Sequence, residues 1–219
     1  TTASNNTAVG YFALTANTTG TQNTALGANA LDANTTNVRN TAVGYNALTA
    51  ATNDDNTAVG AQALEANTTG YYNVAMGYLA GAAITTGNSN VAIGTLALDA
   101  NTTASNNTAV GHAALTANTT GHSCVAVGST ALDANTTGVG NNAVGRDALG
   151  ANTSGSANQA FGRDVLSANT TGASNSAFGD SALKANTTAS NNTAVGQSAL
   201  LANTTGTANV AIGYEAGYY

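Results

Sequence analysis

Among the residues of this chain that could undergo chemistry, the most frequent pattern is the triplet Asn-Thr-Thr or Asn-Thr-Ser, which occurs ten times. Each triplet is formally an acceptor sequon for N-glycosylation. Turns also favour Asn and Thr, and stacked repeats favour Asn, so we interpret the triplets as structural and keep glycosylation as the alternative. The acceptor residues would be Asn17, Asn34, Asn67, Asn101, Asn118, Asn135, Asn152, Asn169, Asn186 and Asn203.

The other reactive side chains do not form a recognisable set. His112 and His122 are isolated, and we interpret them as surface residues rather than metal ligands. Cys124 has no evident His partner that would activate it as a nucleophile, so a small buried residue is the preferred interpretation. The acids scatter, and we predict no catalytic, cofactor-binding or metal-binding residues. Four acids share one repeat position and predict a solvated row: Asp32, Glu65, Asp99 and Asp133.

Composition narrows the class of protein. The 219 residues include no Trp and no Pro, and only 6% are charged. Large apolar side chains that fill a thick core are therefore scarce, which predicts a thin core of Val, Leu and Ala. Four basic residues and a net charge of −6 disfavour nucleic acid, whose binding depends on Lys and Arg. No apolar stretch approaches the ~20 residues of a membrane span.

A short repeat organises the whole chain, residues 1–219, into a single array. Consecutive repeats are 17 residues apart, except for one step of 16 between residues 40 and 56. The chain opens on TTASN, the end of a repeat, and stops within a repeat, so we expect a fragment of a longer protein. The repeats begin at residues 6, 23, 40, 56, 73, 90, 107, 124, 141, 158, 175, 192 and 209.

Some positions of the repeat are nearly invariant. Counting from the first residue, position 1 is Asn except at Cys124, position 3 is always Ala and position 5 is always Gly. Position 4 is always apolar, position 9 is Leu except at Gly81 and Gly217, and position 13 is Thr in every complete repeat. Such regular spacing argues against disorder, and the glycines leave too few residues for stable helices.

A parallel β-solenoid with one coil per repeat satisfies these constraints. Stacking places identical residues one strand spacing apart, so each coil contacts only its neighbours. We predict one strand over NTAVG, a second over ALxAN, and ladders of Asn side chains at positions 1 and 12. The fold class is therefore all-β, with about thirteen coils of 17 residues.

The NTAVG strand indicates self-association. Successive side chains of a strand point to opposite faces, so the Ala at position 3 and the apolar residue at position 4 lie on different faces. A strand that is small or apolar on both faces is usually buried on both. Since one thin coil has a single interior, we predict a homo-oligomer whose chains meet through these strands.

The segments NVAMG (73–77), NVAIG (90–94) and NVAIG (209–213) resemble the Hep/Hag repeat found in the heads of trimeric autotransporter adhesins. The stretch NVAMGYLAGAAITTGNSNVAIG (73–94) is also similar to repeat regions of tail-fibre-like proteins that end in an endosialidase-type chaperone domain. The resemblance covers almost the full chain through a short motif. It implies a left-handed β-roll, three chains around an axis, and a cell or virion surface.

The resulting functional hypothesis is a non-enzymatic structural and adhesive fibre shaft, extracellular or on a virion. Its partners would be copies of itself and a host-surface protein or glycan, without nucleic acid, membrane insertion or cofactor. The alternative is an ice-binding solenoid. In an extended Asn-Thr-Thr segment, the Asn and the second Thr would share a face and form flat Asn-x-Thr rows.

Two further expectations concern particular positions. Gly81 and Gly217 lack the core side chain that Leu supplies at position 9, which predicts a narrower or bent coil there. The Thr at position 13 never varies in the complete repeats, from Thr18 to Thr204. We therefore expect it to point inward, with its methyl group against the Leu row and its hydroxyl group bonded to turn backbone.

Overall fold

The computed structural model describes residues 2–218, which contain short β-strands and no helix. The chain forms two compact units, Thr1–Asn107 and Thr108–Tyr219. Strands of the first unit are β1 (Thr7–Val9), β2 (Thr24–Leu26), β3 (Thr41–Val43), β4 (Thr57–Val59), β5 (Val74–Met76) and β6 (Val91–Ile93). Strands of the second are β7 (Thr108–Val110), β8 (Val125–Val127), β9 (Asn142–Val144), β10 (Gln159–Phe161), β11 (Ser176–Phe178), β12 (Thr193–Val195) and β13 (Val210–Ile212).

Each unit is a parallel β-solenoid with one strand per coil. Within each unit the strands pair in chain order, and every pair is parallel. The register superimposes equal repeat positions, as where Ala42 pairs with Ala58 across the shortened 16-residue step. The predicted all-β solenoid of thirteen coils is therefore confirmed. We refer to the coils as 1 to 13 in chain order, each beginning at its position 1.

The core of each coil is as thin as the composition predicts. In coils 2 to 12 the Ala at position 3 is buried, as at Ala42 and Ala109, and so is the residue at position 8, which is Ala except at Val165. The Leu at position 9 supplies the largest side chains of the core, for example Leu48 and Leu149, both with no exposed surface. The Ala face of the strand is thus the inner face of the same chain.

The predicted second strand is wrong. Positions 6–11 instead form a run of turns, because positions 7 and 9 have left-handed backbone, as at Asn46 (φ 52°) and Leu48 (φ 53°). A left-handed Leu costs about 1–2 kcal/mol. Complete burial of a Leu side chain contributes about 1.5–3 kcal/mol, which offsets that cost. The Leu48 amide also donates to the Ala63 carbonyl of the next coil, at 3.0 Å.

The Gly at position 5 allows the coils to stack closely after each strand. Gly44 has φ 136°, a conformation that L side chains rarely adopt, and a Cβ there would lie 2.5 Å from the Gly60 carbonyl oxygen. Both the backbone conformation and the approach of the next coil therefore require Gly.

The predicted Asn ladders are present at both positions. At position 1, the backbone N–H of Asn158 donates to Asn141 Oδ1 of the preceding coil at 2.9 Å. The side-chain Nδ2 of Asn158 donates to the Gly172 carbonyl at 2.8 Å. At position 12, Asn152 Nδ2 donates to Asn135 Oδ1 at 2.9 Å. These amides are buried, and the ladders satisfy their hydrogen-bonding groups without water.

One interruption shows what the position-12 ladder contributes. Coil 3 has Ala51 where its neighbours have Asn, and Asn34 Oδ1 of coil 2 is buried without a hydrogen-bond partner. The missing donor is the Nδ2 group that an Asn at residue 51 would supply.

Coil 5 keeps the strand register of its neighbours, and the narrower or bent coil expected at Gly81 stays a prediction. Strand β5 pairs with β4 and β6 in the usual register, and Gly81 keeps the left-handed backbone of its Leu equivalents at φ 58°. Ile84, at position 12, is completely buried, and a Cβ on Gly81 would lie only 2.9 Å from Ile84 Cδ1. Ile84 therefore fills the space that a Leu occupies in other coils. Gly217 has the same backbone, at φ 62°.

Candidate functional site

The Asn residues of the sequons point into the coil. Asn34, Asn67, Asn101, Asn118, Asn135, Asn152, Asn169 and Asn186 are buried, and Asn17 and Asn203 are partly buried. In Asn169, for example, Nδ2 donates to Asn152 Oδ1 at 2.9 Å and to the Gly172 carbonyl at 3.0 Å. A glycan on Nδ2 would replace one of these two donated hydrogens, and the fully buried side chain leaves no space for a sugar. Glycosylation of the folded coil is therefore disfavoured at the buried positions.

The Thr at position 13 lies on the outer surface, so the prediction that it points inward is wrong. Thr68 and Thr153 are exposed, and Thr136 and Thr170 are half-buried. The hydroxyl half of the prediction is confirmed: Thr153 Oγ1 donates to the Thr170 carbonyl of the next coil at 3.1 Å. The invariance of this Thr therefore reflects a bond between coils made at the surface.

Position 14 adds a second exposed row, mostly Thr, beside the first. Thr120, Thr137 and Thr188 are exposed, as is Ser154. Because the Asn at position 12 is buried, the flat Asn-x-Thr rows of the ice-binding hypothesis do not form. The solvent instead meets two adjacent rows of hydroxyl-bearing residues at one corner of the coil.

The outer face of the strands is uncharged and partly apolar. Side chains at positions 2 and 4 point outward, and the position-4 side chains remain accessible, with exposed fractions of 47% for Leu26 and Met76. Phe161 and Phe178 occupy this row in coils 10 and 11, with their rings stacked at 5.0 Å between centroids. In all thirteen repeats positions 2 and 4 contain no charged residue.

Charged side chains are confined to other positions. The four basic and ten acidic residues occupy only positions 6, 7, 10 and 15–17. Several form exposed ion pairs between coils, such as Arg39 with Asp55 at 2.6 Å and Arg163 with Asp180 at 2.8 Å. The hydrogen bond from Arg39 lowers the pKa of Asp55. Such exposed pairs contribute little to stability.

The structure does not assemble the residues that could do chemistry. His112 and His122 are both exposed, and residues 2–218 contain no cluster of His, Cys, Asp and Glu suited to a metal ion. Burial raises the pKa of the Cys124 thiol, whose Sγ donates to the Gly138 carbonyl at 3.4 Å. A reactive thiol needs the opposite shift. The described part of the chain also contains no helix able to span a membrane.

A row of aromatic side chains in the first unit was missed by the sequence analysis. Position 6 reads Tyr11, Ala28, Tyr45, Ala61 and Tyr78 through coils 1 to 5, so Tyr and Ala alternate. The three Tyr side chains are 71%, 56% and 52% exposed. Position 6 varies between successive repeats, and the pattern emerges only when every second repeat is compared.

No family model, no curated protein and no solved structure matches the chain.

Proposed function

We propose that the chain is part of a structural and adhesive fibre shaft that assembles as a homotrimer through the outer faces of its strands. It would be extracellular, on a cell or virion surface, with no catalytic role. The observation that carries the proposal is the uncharged strand face. In a chain with fourteen charged residues, no repeat places one at position 2 or 4, although these side chains point to solvent in the single chain.

Exposed apolar rows of this kind commonly mark interaction surfaces. A row that repeats at every coil best fits a partner with the same spacing, and another copy of the chain has that spacing. The resemblance to trimeric adhesin heads and tail-fibre repeats supports three copies and the surface location. Copies of this chain are accordingly the first partner, and a surface protein or glycan of a host is the second.

A charge on the strand face tests the proposal. Val127→Glu, at position 4 of coil 8 and the last residue of β8, would place a carboxylate within the trimer interface, where an unpaired charge is costly. Thr120→Glu, at the exposed position 14, is the matched control. We expect light scattering to show that Val127→Glu lowers the mass of the assembly while Thr120→Glu leaves it unchanged. Equal masses for both variants would contradict the proposal.

Ice binding is the second candidate, favoured by the exposed Thr rows at positions 13 and 14. Regular hydroxyl rows at the strand spacing offer a repeating pattern to ordered water. The position-13 hydroxyl groups already donate to the next coil, as Thr68 does to the Thr85 carbonyl at 3.1 Å, which leaves them fewer contacts for ice. Thermal hysteresis that disappears in a Thr137→Ala/Thr171→Ala variant would support this candidate over the shaft.

A further inference from the structure

We propose that Tyr11, Tyr45 and Tyr78 form a binding row for an uncharged, extended β-1,4-linked glycan chain, such as cellulose or chitin. The inference deepens the adhesive role proposed above and rests on it. It concerns a surface separate from the strand face, because the Tyr residues occupy position 6, in the turns that follow the strands.

The regular spacing of the three Tyr residues along the stacked coils is the main observation. Equivalent residues of adjacent coils are one strand spacing apart, so alternate coils place the Tyr residues about 9.6 Å from each other. In an extended β-1,4-linked chain, successive sugars are rotated by half a turn. Every second sugar therefore presents the same face, at a repeat close to twice the strand spacing. At position 6 the intervening coils carry the small residues Ala28 and Ala61, so no bulky side chain lies between successive Tyr residues in this row.

The backbone beneath the row holds this spacing. The Asn29 amide donates to the Tyr11 carbonyl at 2.8 Å, and the Gln62 amide donates to the Tyr45 carbonyl at 2.8 Å. The adjoining Gly residues at position 5 pack directly on the next coil, as described for Gly44. The Tyr side chains therefore project from a fixed frame, which limits the entropy lost on binding.

Side-chain amides lie at position 7 of coils 2 to 4, beside the middle of the Tyr row. Asn29 Nδ2 donates to Asn46 Oδ1 at 2.9 Å, and Asn46 Nδ2 donates to Glu65 Oε1 at 2.9 Å. Gln62 Nε2 donates to Glu65 Oε2 at 2.8 Å. Linked amides next to exposed aromatic rings are suited to sugars, which present hydroxyl groups and apolar C–H faces on the same ring.

The charge of the surface favours a neutral ligand. The first unit has one basic residue, Arg39, which is paired with Asp55. A sulfated or uronic-acid chain would find no other cation there. In the second unit, position 6 carries Arg146, Arg163 and Asp180 and has no alternating Tyr pattern. An uncharged glycan therefore matches the first unit in both spacing and charge.

The test is depletion of the protein from solution by insoluble cellulose and by chitin, with granular starch as the control glycan. Starch contains the same sugar as cellulose, but its α-linked chains are not extended in this repeat. We expect the protein to bind cellulose or chitin and to leave starch unbound. Tyr45→Ala should weaken binding at least about tenfold, and Tyr72→Ala, an exposed Tyr outside the row, should change it less than about twofold.

A variant with rearranged Tyr residues distinguishes binding that requires the equal spacing from nonspecific binding by exposed aromatic side chains. Ala28→Tyr/Tyr45→Ala keeps three Tyr residues at position 6 but destroys the equal spacing, so it should bind as weakly as Tyr45→Ala. The inference would be overturned if this variant bound as well as the unmodified protein. It would also be overturned if the unmodified protein bound starch as well as it binds cellulose or chitin, or if it bound neither cellulose nor chitin. The assembly mass should be the same for all Tyr variants. A change in the mass of the assembly in a Tyr variant would assign the row to contacts with a second copy of the chain and would also overturn the inference. Failure of the shaft proposal has a different sign, because the unmodified protein would then have the mass of a monomer.

Discussion

Coil 5 allows the packing of the solenoid to be tested with two residues. Nearly every other complete coil combines Leu at position 9 with Asn at position 12, whereas coil 5 combines Gly81 with Ile84. A Cβ on Gly81 would lie 2.9 Å from Ile84 Cδ1 and 3.2 Å from Leu64 Cδ2. The two positions therefore share one space, and each substitution should depend on the other.

The single variants should both be destabilised. Ile84→Asn removes a fully buried side chain opposite a Gly, and truncations of that kind cost about 2–5 kcal/mol. Gly81→Leu forces a second large side chain into the space already filled by Ile84, and overpacking costs about 1–3 kcal/mol. If the effects were independent, the double variant would lose the sum of both.

The double variant Gly81→Leu/Ile84→Asn should instead be close to the unmodified protein. The introduced Leu side chain would fill the space that Ile84 leaves, and the introduced Asn side chain would lie between Asn67 and Asn101 in the position-12 row. We expect a coupling free energy of at least about 2 kcal/mol, measured by urea unfolding. Gly81→Leu combined with Thr19→Ala, an exposed change in coil 1, is the control and should be additive. Additive effects in the coil-5 pair would refute the shared-space explanation.

Three further predictions concern single residues. Asn152→Ala removes the Nδ2 donor of Asn135 Oδ1 and should cost about 1–3 kcal/mol in urea unfolding; a change of a few tenths would contradict the ladder's role. Cys124→Asn replaces a sulfur, which accepts the hydrogen bond from the Asn141 backbone N–H only weakly, with a side-chain oxygen. The free energy of unfolding should therefore rise by about 1 kcal/mol, and a fall would contradict this explanation. Burial raises the pKa of Asp99 above its ordinary 3.8, so folding disfavours the charged carboxylate. The stability gained by Asp99→Asn should therefore be present at neutral pH and decline as the pH falls through the raised pKa towards 3.8, and a gain independent of pH would rule out the charge as its cause.

The stacking of the coils was predictable from the sequence because it follows from periodicity. A constant spacing of Asn, Ala and Gly requires equal environments in every repeat, and an in-register parallel stack provides them. The Ala at position 3 and the buried Asn residues, including Asn152 and Asn158, lie as that argument requires.

The turns were less predictable, because their conformation depends on contacts between coils. The second strand was inferred from the apolar pair at positions 8 and 9, yet residues such as Leu149 adopt left-handed backbone at φ 53°. A bulky residue gives no local sign of that conformation. Position 7 gives a weak one, since Asn29, Asp147 and Ser181 are side chains that bond readily to local backbone.

The surface was the least predictable part. Invariance of the position-13 Thr suggested burial, but the constraint is a hydrogen bond made at the surface, as between Thr52 Oγ1 and the Thr68 carbonyl at 2.7 Å. The loss of Leu at Gly81 suggested a defect, but Ile84, three residues later, fills the space. The acceptor of the Thr hydroxyl group lies on the next coil, and the side chain that compensates for Gly81 lies at a different repeat position. The sequence of a single repeat shows neither relationship.

Sedimentation equilibrium of the unmodified chain tests the central proposal, self-association through the strand face, most directly. The chain has a mass of 21.2 kDa. A homotrimer predicts three times that mass, independent of protein concentration over the micromolar range. A well-folded species of 21.2 kDa would contradict the proposal, because the uncharged strand face would then remain in solvent.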